Sequence, residues 1–455
     1  MTPEIDTPPA PTPAISVVIP SHNREDLLAQ VLDKLAQQRS DTPPFEVVVV
    51  LDGCRDGSPQ MLAARSDPFA LRWIEMPGVG PSMARNSGVR ETRAELLLFI
   101  DDDVIPTDAL VAEHAAAHAR SPGAAVIGPY PPEPVAYGDR FRLNVRRWWT
   151  AHFEALAKPS VRFTYRDLLT GNLSMTRALW DAVGGLDPQF ARAREDWELG
   201  LRLMEHKVPF VYAPKALGWH QEHLTSSQAS AFRRAKEEGR SDALMAIKHP
   251  QLAAGFSVPR QLRKRGLGAS LRRALLPKMG PLDGVIMRLG PKLLDLVEWG
   301  GLSGMRLRLN GQLTRYCYQR GAIEVLGRKI TQFGTGDDGI VLPSVLEIDI
   351  AEGLEQAEER LAAMRPSAVR IHFAGVEIAT LPHSPGAEPW NARHLRALLM
   401  RPGLARKLAP ILAARHFGGG EGDWKRVEAL GMIGVSDFVA QLHEGHRQWR
   451  RSFGN

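Results

Sequence analysis

Glu95-Leu96-Leu97-Leu98-Phe99-Ile100-Asp101-Asp102-Asp103 is the stretch that decides the fold. Five apolar residues in a row, bounded by charge, suit a strand buried on both faces of a parallel sheet. The run ends in three carboxylates. In an extended chain alternate side chains share a face, so Asp101 and Asp103 are expected to point together and Asp102 away. Two carboxylates held that close repel unless a proton or a cation sits between them. Oxygen donors favour a hard divalent ion, Mn2+ or Mg2+, which would also bridge a phosphate. Open α/β sheets bind ligands at the carboxyl ends of their strands. The competing reading is a solvated acidic turn before a helix from Thr107 to Arg120, and the rest of the chain has to choose.

Upstream, Ile15 to Ile19 reads as a short buried strand that turns at Pro20-Ser21-His22-Asn23. Asn23 and Asp26 have the spacing of a capping box before a helix with the stripe Leu27, Leu28, Val31, Leu32 and Leu35. Phe45 to Leu51 is a second strand ending at Asp52, and Leu71 to Ile74 a third. Strand and helix alternating at this spacing predict a doubly wound, mostly parallel sheet flanked by helices. A dinucleotide-binding fingerprint is missing: no Gly-x-Gly-x-x-Gly follows the first strand, and Gly78-Val79-Gly80 has Met83 where a third glycine would stand. There is no Gly-Lys-Ser/Thr phosphate loop. Three polar clusters end at strand tips instead: Ser21-His22-Asn23, Asp52, and Asp101 to Asp103. Asp52 can accept the imide hydrogen of a uracil or serve as a turn residue. His22 can stack on a base, and Arg85 supplies charge for a phosphate.

A second acidic centre lies further on. Thr170 to Met175 reads as a strand, Val183-Gly184-Gly185-Leu186-Asp187 as a turn, and Arg194-Glu195-Asp196-Trp197-Glu198 as the start of a helix. Acidic residues commonly open helices, where the dipole favours their ionised forms. Beside a candidate metal site, the same pair can supply a general base. His220, after the apolar stretch Val208 to Pro214, is either a further metal ligand or a surface histidine.

Taken together, these residues resemble a family 2 glycosyltransferase of the GT-A fold. The matching pieces are Val17 to Arg24, Asp52 to Ser58, Ala84 to Gly88, Phe99 to Asp103, Gly171 to Ser174, Gly184 to Asp187, and Glu195 to Glu198, in that order over residues 14 to about 225. The resemblance implies inverting transfer of a sugar from a nucleotide diphosphate sugar, UDP-linked first, to a hydroxyl. It implies donor binding by Pro20, His22, Asn23, Asp52, Arg85, Asp101 and Asp102, and a metal held by Asp101, Asp103 and His220. Asp196 becomes the base, with Glu195 and Trp197 on the acceptor side. His22 stands where the family usually has tyrosine, and Gly53-Cys54 replaces the commoner Asp-Gly, which leaves nucleotide choice open. Sugar nucleotidyl transfer and a non-catalytic nucleotide-sugar-binding scaffold are the rival readings. The first lacks its glycine- and basic-rich loop after the first strand, and intact Asp103 and Asp196 argue against the second.

Composition sets the outer bounds. The 455 residues are 44% apolar and 24% charged with a formal charge of +6, ordinary for a globular chain of two or three domains. The modest basic excess suits an anionic substrate or membrane surface better than nucleic acid. Two cysteines cannot build a disulfide framework, which fits a reducing cytosol. Residues 1–13 are expected to be a disordered leader without signal-peptide features, and no window of 18 apolar residues suggests a membrane span. Residues 14–255 form the GT-A-like domain and 256–333 a helical extension, where Pro259 to Lys278 carries seven bases and no acid. That stretch can lie on an anionic membrane as a peripheral contact or pack as a solvated helix face. Residues 334–455 read as a small α+β accessory module, with Val345 to Ile350, a hairpin over Val369 to Ala379, and helical patterns from Asn391 to His416 and Trp424 to Trp449. Acceptor binding, lipid-linked or secondary-metabolite, and homo-oligomerisation are its expected roles.

Overall fold

The computed structural model describes residues 12–134, 140–256, 276–327, 345–373, 375–399 and 403–404. The leader, most of the basic stretch, the Gly334–Gly339 linker and the Trp424–Trp449 pattern lie outside the described residues. Two compact units emerge, one from 1–157 and 164–339, the other from 158–163 and 340–455.

In the first unit, runs of Val, Ile and Leu form the strands of a seven-stranded sheet in the order β3-β2-β1-β4-β7-β6-β8. These are β1 (Ile15–Ser21), β2 (Phe45–Asp52), β3 (Ala70–Met76), β4 (Leu96–Ile100), β6 (Ala125–Ile127), β7 (Asn172–Thr176) and β8 (Phe210–Tyr212). The pairs β1–β2, β2–β3, β1–β4 and β6–β8 are parallel, while β7 runs antiparallel to both its neighbours. The register sets Ser21 beside Leu51, and Val18 beside Phe99. The carboxyl ends of β1, β2 and β4 therefore emerge at one edge. A separate ribbon pairs β5 (Val104–Pro106) with β9 (Gly218–His220), Val104 opposite His220. Helices α1 (Glu25–Leu35), α2 (Ser58–Ala63), α3 (Pro81–Arg90), α4 (Leu110–Arg120), α5 (Arg140–Leu156), α6 (Arg177–Val183) and α7 (Glu195–Glu205) follow in chain order. Gly88 of α3 has room only for a hydrogen where it meets Val18 and Val50 of the sheet.

The capping box expected at Asn23 and Asp26 does not form. Asn23 adopts a left-handed conformation, and α1 has no side-chain cap of its own. The cap comes from across the loop: Glu25 N donates to Asp56 Oδ2 at 3.0 Å, and Gly57 N donates to Glu25 Oε2 at 3.0 Å. The exchange ties the β1–α1 turn to the loop after β2.

After the short α8 (Glu222–Thr225), α9 (Gln228–Lys248) crosses α11 (Ser303–Leu326), with α10 (Asp283–Trp299) beside them. A methyl group on Gly239 of α9 would strike the Tyr318 carbonyl, and one on Gly321 of α11 would strike the Lys236 carbonyl. The two helices meet backbone to backbone. No described helix is long and apolar enough to cross a membrane.

The second unit holds β10 (Val345–Asp349) parallel to β11 (Ala368–Phe373), which pairs antiparallel with β12 (Val376–Leu381). Helices α12 (Leu354–Met364) and α13 (Ala392–Leu399) complete it, around Ile348, Leu361, Val369, Ile371, Ile378 and Leu395. The expected strands and hairpin are present.

Candidate active site

Strand β4 ends at Ile100, one residue before the carboxylates, and the alternation expected of Asp101 to Asp103 ends with it. Val104 N donates to the Asp101 carbonyl at 3.1 Å, a turn that re-aims the three side chains. Asp102 and Asp103, not Asp101 and Asp103, share a partner: Arg24 Nη1 donates to Asp102 Oδ1 at 2.6 Å and Asp103 Oδ2 at 2.9 Å. Asp101 instead accepts from Arg85. Burial pushes the Asp102 carboxyl up, against the pull of Arg24. The Asp103 carboxyl is held well below the usual carboxylate range, because His220 and Arg24 outweigh its burial. Arg24 closes the Val17 to Arg24 stretch and holds both carboxylates. Its signal was a lone cation just past the β1 tip.

The β5–β9 ribbon brings His220 to the strand tips. Gln221 N donates to the Asp103 carbonyl at 2.8 Å, and His220 Nε2 stands 3.6 Å from Asp103 Oδ2. Trp149 and Tyr130 pack edge-on against the imidazole, with ring centroids 5.1 and 5.7 Å away. One carboxylate oxygen and one imidazole nitrogen suit a hard divalent ion that takes its remaining ligands from phosphate and water. Among the described residues no three His, Cys, Asp or Glu side chains gather as a metal cage. The donor set thus fits an ion carried in with a diphosphate, held by Asp103 and His220. Asp101, also expected in the set, accepts from Arg85 through Oδ1.

The nucleotide-side residues converge less directly. Pro20 lies in β1 opposite Val50. Asn23 Nδ2 donates to His22 Nε2 at 3.0 Å, which leaves Nδ1–H of His22 to donate to the Asp52 carbonyl at 2.6 Å. The imidazole is exposed and rigidly aimed. Asp52 departs from expectation: its carboxylate accepts from Gly78 N, Val79 N and Gly80 N at 3.1, 2.7 and 2.7 Å. Three backbone donors occupy it, so it shapes the 78–80 loop rather than standing open for a base. Gly53, which replaced the commoner aspartate, has φ +76, and a Cβ there would come within 2.9 Å of Gly78 Cα. The loops after β2 and β3 press together too closely for any side chain.

Arg85 joins the two acidic centres. Buried in α3, it pairs with Asp101 and lies 3.7 Å from Glu195 Oε1. Its Nε and Nη1 are buried without a hydrogen-bond partner. On the next residue, Asn86 Nδ2 donates to the Leu186 carbonyl at 2.7 Å and Leu186 N donates back to Asn86 Oδ1 at 2.9 Å. Two motifs a hundred residues apart thereby clamp each other.

Glu195 and Asp196 occupy the first turn of α7, after Arg194 in a left-handed conformation. The helix dipole was expected to favour their ionised forms; the opposite holds. Burial, then the neighbouring Glu195 charge, pushes the Asp196 carboxyl up to about 7. Burial also raises Glu195 despite Arg85. Desolvation and like-charge repulsion exceed a dipole effect worth typically under about 1 kcal/mol. Asp196 Oδ1 accepts from Trp197 N at 2.8 Å. Glu198 is structural: Arg202 and Lys248 hold it, and its carboxyl is lowered to about 2. Trp197 offers no free platform, since the Arg194 guanidinium lies 3.6 Å over its ring and Arg166 5.2 Å away. Arg194 in turn pairs with Asp242 of α9 at 3.0 Å.

Residues 16–181 match the family model for glycosyl transferase family 2. That span is a family 2 glycosyltransferase domain. The chain is 31% identical over 243 residues to validoxylamine A glucosyltransferase of Streptomyces hygroscopicus subsp. limoneus, across 48% of this chain and 54% of the relative. It is 34% identical over 266 residues to the uncharacterized glycosyltransferase YfnE of Bacillus subtilis (strain 168), across 47% and 66%. The chain thus spans between about half and two thirds of the length of these curated relatives. Among solved structures, the mannosyltransferase PcManGT from Pyrobaculum calidifontis in complex with GDP-Man and Mn2+ aligns at 20% identity and TM-score 0.43, over 72% of this chain and 92% of that one. S. aureus TarS 1–349 in complex with UDP-GlcNAc aligns at 16% identity and TM-score 0.39, over 70% and 90%.

Proposed function

We propose that the chain transfers a sugar from a nucleotide diphosphate sugar to an acceptor hydroxyl, with inversion at the anomeric carbon. The arrangement around Arg85 carries the reading. One buried guanidinium spans Asp101 at the β4 tip and Glu195 at the start of α7, with Nε left without a hydrogen bond and Nη1 reaching Glu195 only at 3.7 Å. Buried donors of that kind cost free energy unless an anion meets them, and a diphosphate is such an anion. His22 stacks on the base, with Pro20 and Asn23 framing it, while Asp52 and Asp102 hold the surrounding loops through Gly78–Gly80 and Arg24.

The acceptor hydroxyl loses its proton to Asp196 as its oxygen attacks the anomeric carbon, and the bond from that carbon to the diphosphate oxygen breaks. A carboxyl pushed up to about 7 is matched to that transfer near neutral pH. Glu195 keeps it there, and Arg85 faces the charge that develops on the departing diphosphate. Asp103 and His220 are the residues that would hold a divalent ion, which when bound supplies further neutralisation of the diphosphate. Relatedness to a glucosyltransferase puts glucose first among the sugars to test, and UDP first among the nucleotides. A cytoplasmic setting is part of the proposal, since Cys54 and Cys317 are both free thiols.

The test is donor binding and donor turnover measured separately, with Mn2+ present and absent. Asp103→Ala should lose metal-dependent donor affinity. Asp196→Asn should keep that affinity and lose turnover by roughly 10² to 10⁴, the usual worth of a general base. Parental turnover in both variants, or no nucleotide sugar bound by the parent, overturns the reading.

A further inference from the structure

Seventeen large apolar side chains are exposed among the described residues, and nine of them fall between Leu282 and Leu307. On α10 the spacing is helical: Val285, Leu289, Leu293, Leu296 and Trp299 form one outward stripe, and Trp299 is 88% exposed. The opposite edge of the same helix is packed, with Leu294 buried beside Phe232 and Cys317. Gly290 lies close enough to Phe232 that a Cβ would stand 3.0 Å from its ring. The helix is therefore anchored by one face and apolar on the other. Soluble surfaces rarely gather apolar area this way without a partner.

Charge selects the partner. Lys278, Arg288, Lys292 and Arg308 are exposed along this segment, while Asp295 is the exposed acid and Glu298 is paired with Arg306 at 2.8 Å. By helical spacing, Lys292 falls within the stripe itself, between Leu289 and Leu296. The sequence leading into the helix from Pro259 adds six bases ahead of Lys278 without an acid. Folding that segment over the stripe would set its cations against Arg288 and Lys292, and a second copy docked on the same face would bring like charges together. A surface that is apolar just below a layer of negative charge satisfies both features.

We propose that the outward face of α10 docks on the headgroup region of an anionic lipid bilayer, its leucines in the acyl boundary and Trp299 at the interface. Amphipathic helices with basic residues beside such a stripe bind in this plane, and each nearby cation contributes on the order of 1 kcal/mol at an anionic leaflet. The inference is independent of the transfer reaction and does not use the catalytic residues.

The experiment sediments the full chain with vesicles of phosphatidylcholine alone and of phosphatidylcholine with phosphatidylserine, at low and high salt. The parent should bind the anionic vesicles and be released by salt. Leu289→Glu with Leu296→Glu should weaken binding by roughly tenfold or more, with an unchanged melting temperature. Arg288→Glu with Lys292→Glu should remove the preference for anionic lipid. Three results overturn the proposal: no binding by the parent, parental binding by the leucine variant, or a parent dimer that this variant dissolves without altering vesicle binding. The last would assign the face to a second copy of the chain.

Discussion

Asp196 is the residue on which chemistry and stability pull apart. Its carboxyl sits near 7 in the folded protein against an ordinary value of about 3.9. The native state therefore prefers the protonated form. That contribution to stability is fully present below about pH 4, declines as pH rises, and is gone above about 7. Asp196→Asn mimics the protonated group, so denaturant titration should find the variant more stable than the parent at pH 8 and little different at pH 4. Glu195→Gln tests the neighbouring charge. With that charge removed, Arg85, Arg194 and Arg234 face Asp196 less opposed, and the acidic limb of the rate profile should shift to lower pH. An unshifted limb would assign the elevation to burial alone. Apparent values from such profiles belong to the pair rather than to one carboxyl. At this scale the sequence displayed the candidate groups but not their partners. The places of Asp196, Asp103 and His220 at helix starts and strand tips were legible because such positions announce themselves. The Asp101–Arg85 and Asp102–Arg24 pairings were not, because one backbone turn after Ile100 replaces strand alternation.

The crossing of α9 and α11 shows what element-level reading misses. Glycine inside a helix reads as a weakness costing up to about 1 kcal/mol, yet Gly239 and Gly321 are what let the two backbones touch. Gly239→Ala should destabilise by roughly 1–3 kcal/mol, the usual penalty of overpacking, measured as a lower urea midpoint at unchanged slope. The effect should also reach the site. Tyr318 of α11 donates its hydroxyl to Asp242 of α9 at 2.5 Å, and Asp242 holds Arg194 just before Glu195. Tyr318→Phe should therefore lower turnover more than donor affinity; equal losses would point to general loosening instead. The strands and the β11–β12 hairpin, by contrast, were legible from two-residue alternation and a Gly-containing turn, since local geometry alone dictates them.

Over the whole molecule, acid sensitivity has a specific source. His114 and His118 of α4 reach the Ser174 hydroxyl of β7, at 2.7 Å each, and His114 also meets Asn172 at 2.8 Å. Burial pushes both imidazoles down to about 4. A depressed folded value means the stability is present above about pH 6.5 and is lost as pH falls toward 4, where the buried rings must charge. Stability of the parent should thus fall between pH 7 and 5, and a variant with both histidines changed to glutamine should show a flatter profile. Identical slopes would place the acid-labile groups elsewhere.

A composition shift near residue 334 suggested a further unit, but nothing in the sequence pointed to its upstream members. Lys158–Phe163 counts with it, held where Phe163 N donates to Glu388 Oε1 at 2.9 Å and Arg162 stacks 3.9 Å over Trp390. Six residues encoded in the middle of the gene for one unit thus complete the other. A recombination event that appended or deleted the coding region after residue 339 would move an incomplete module. Chimaeras with other chains should therefore be joined outside both halves.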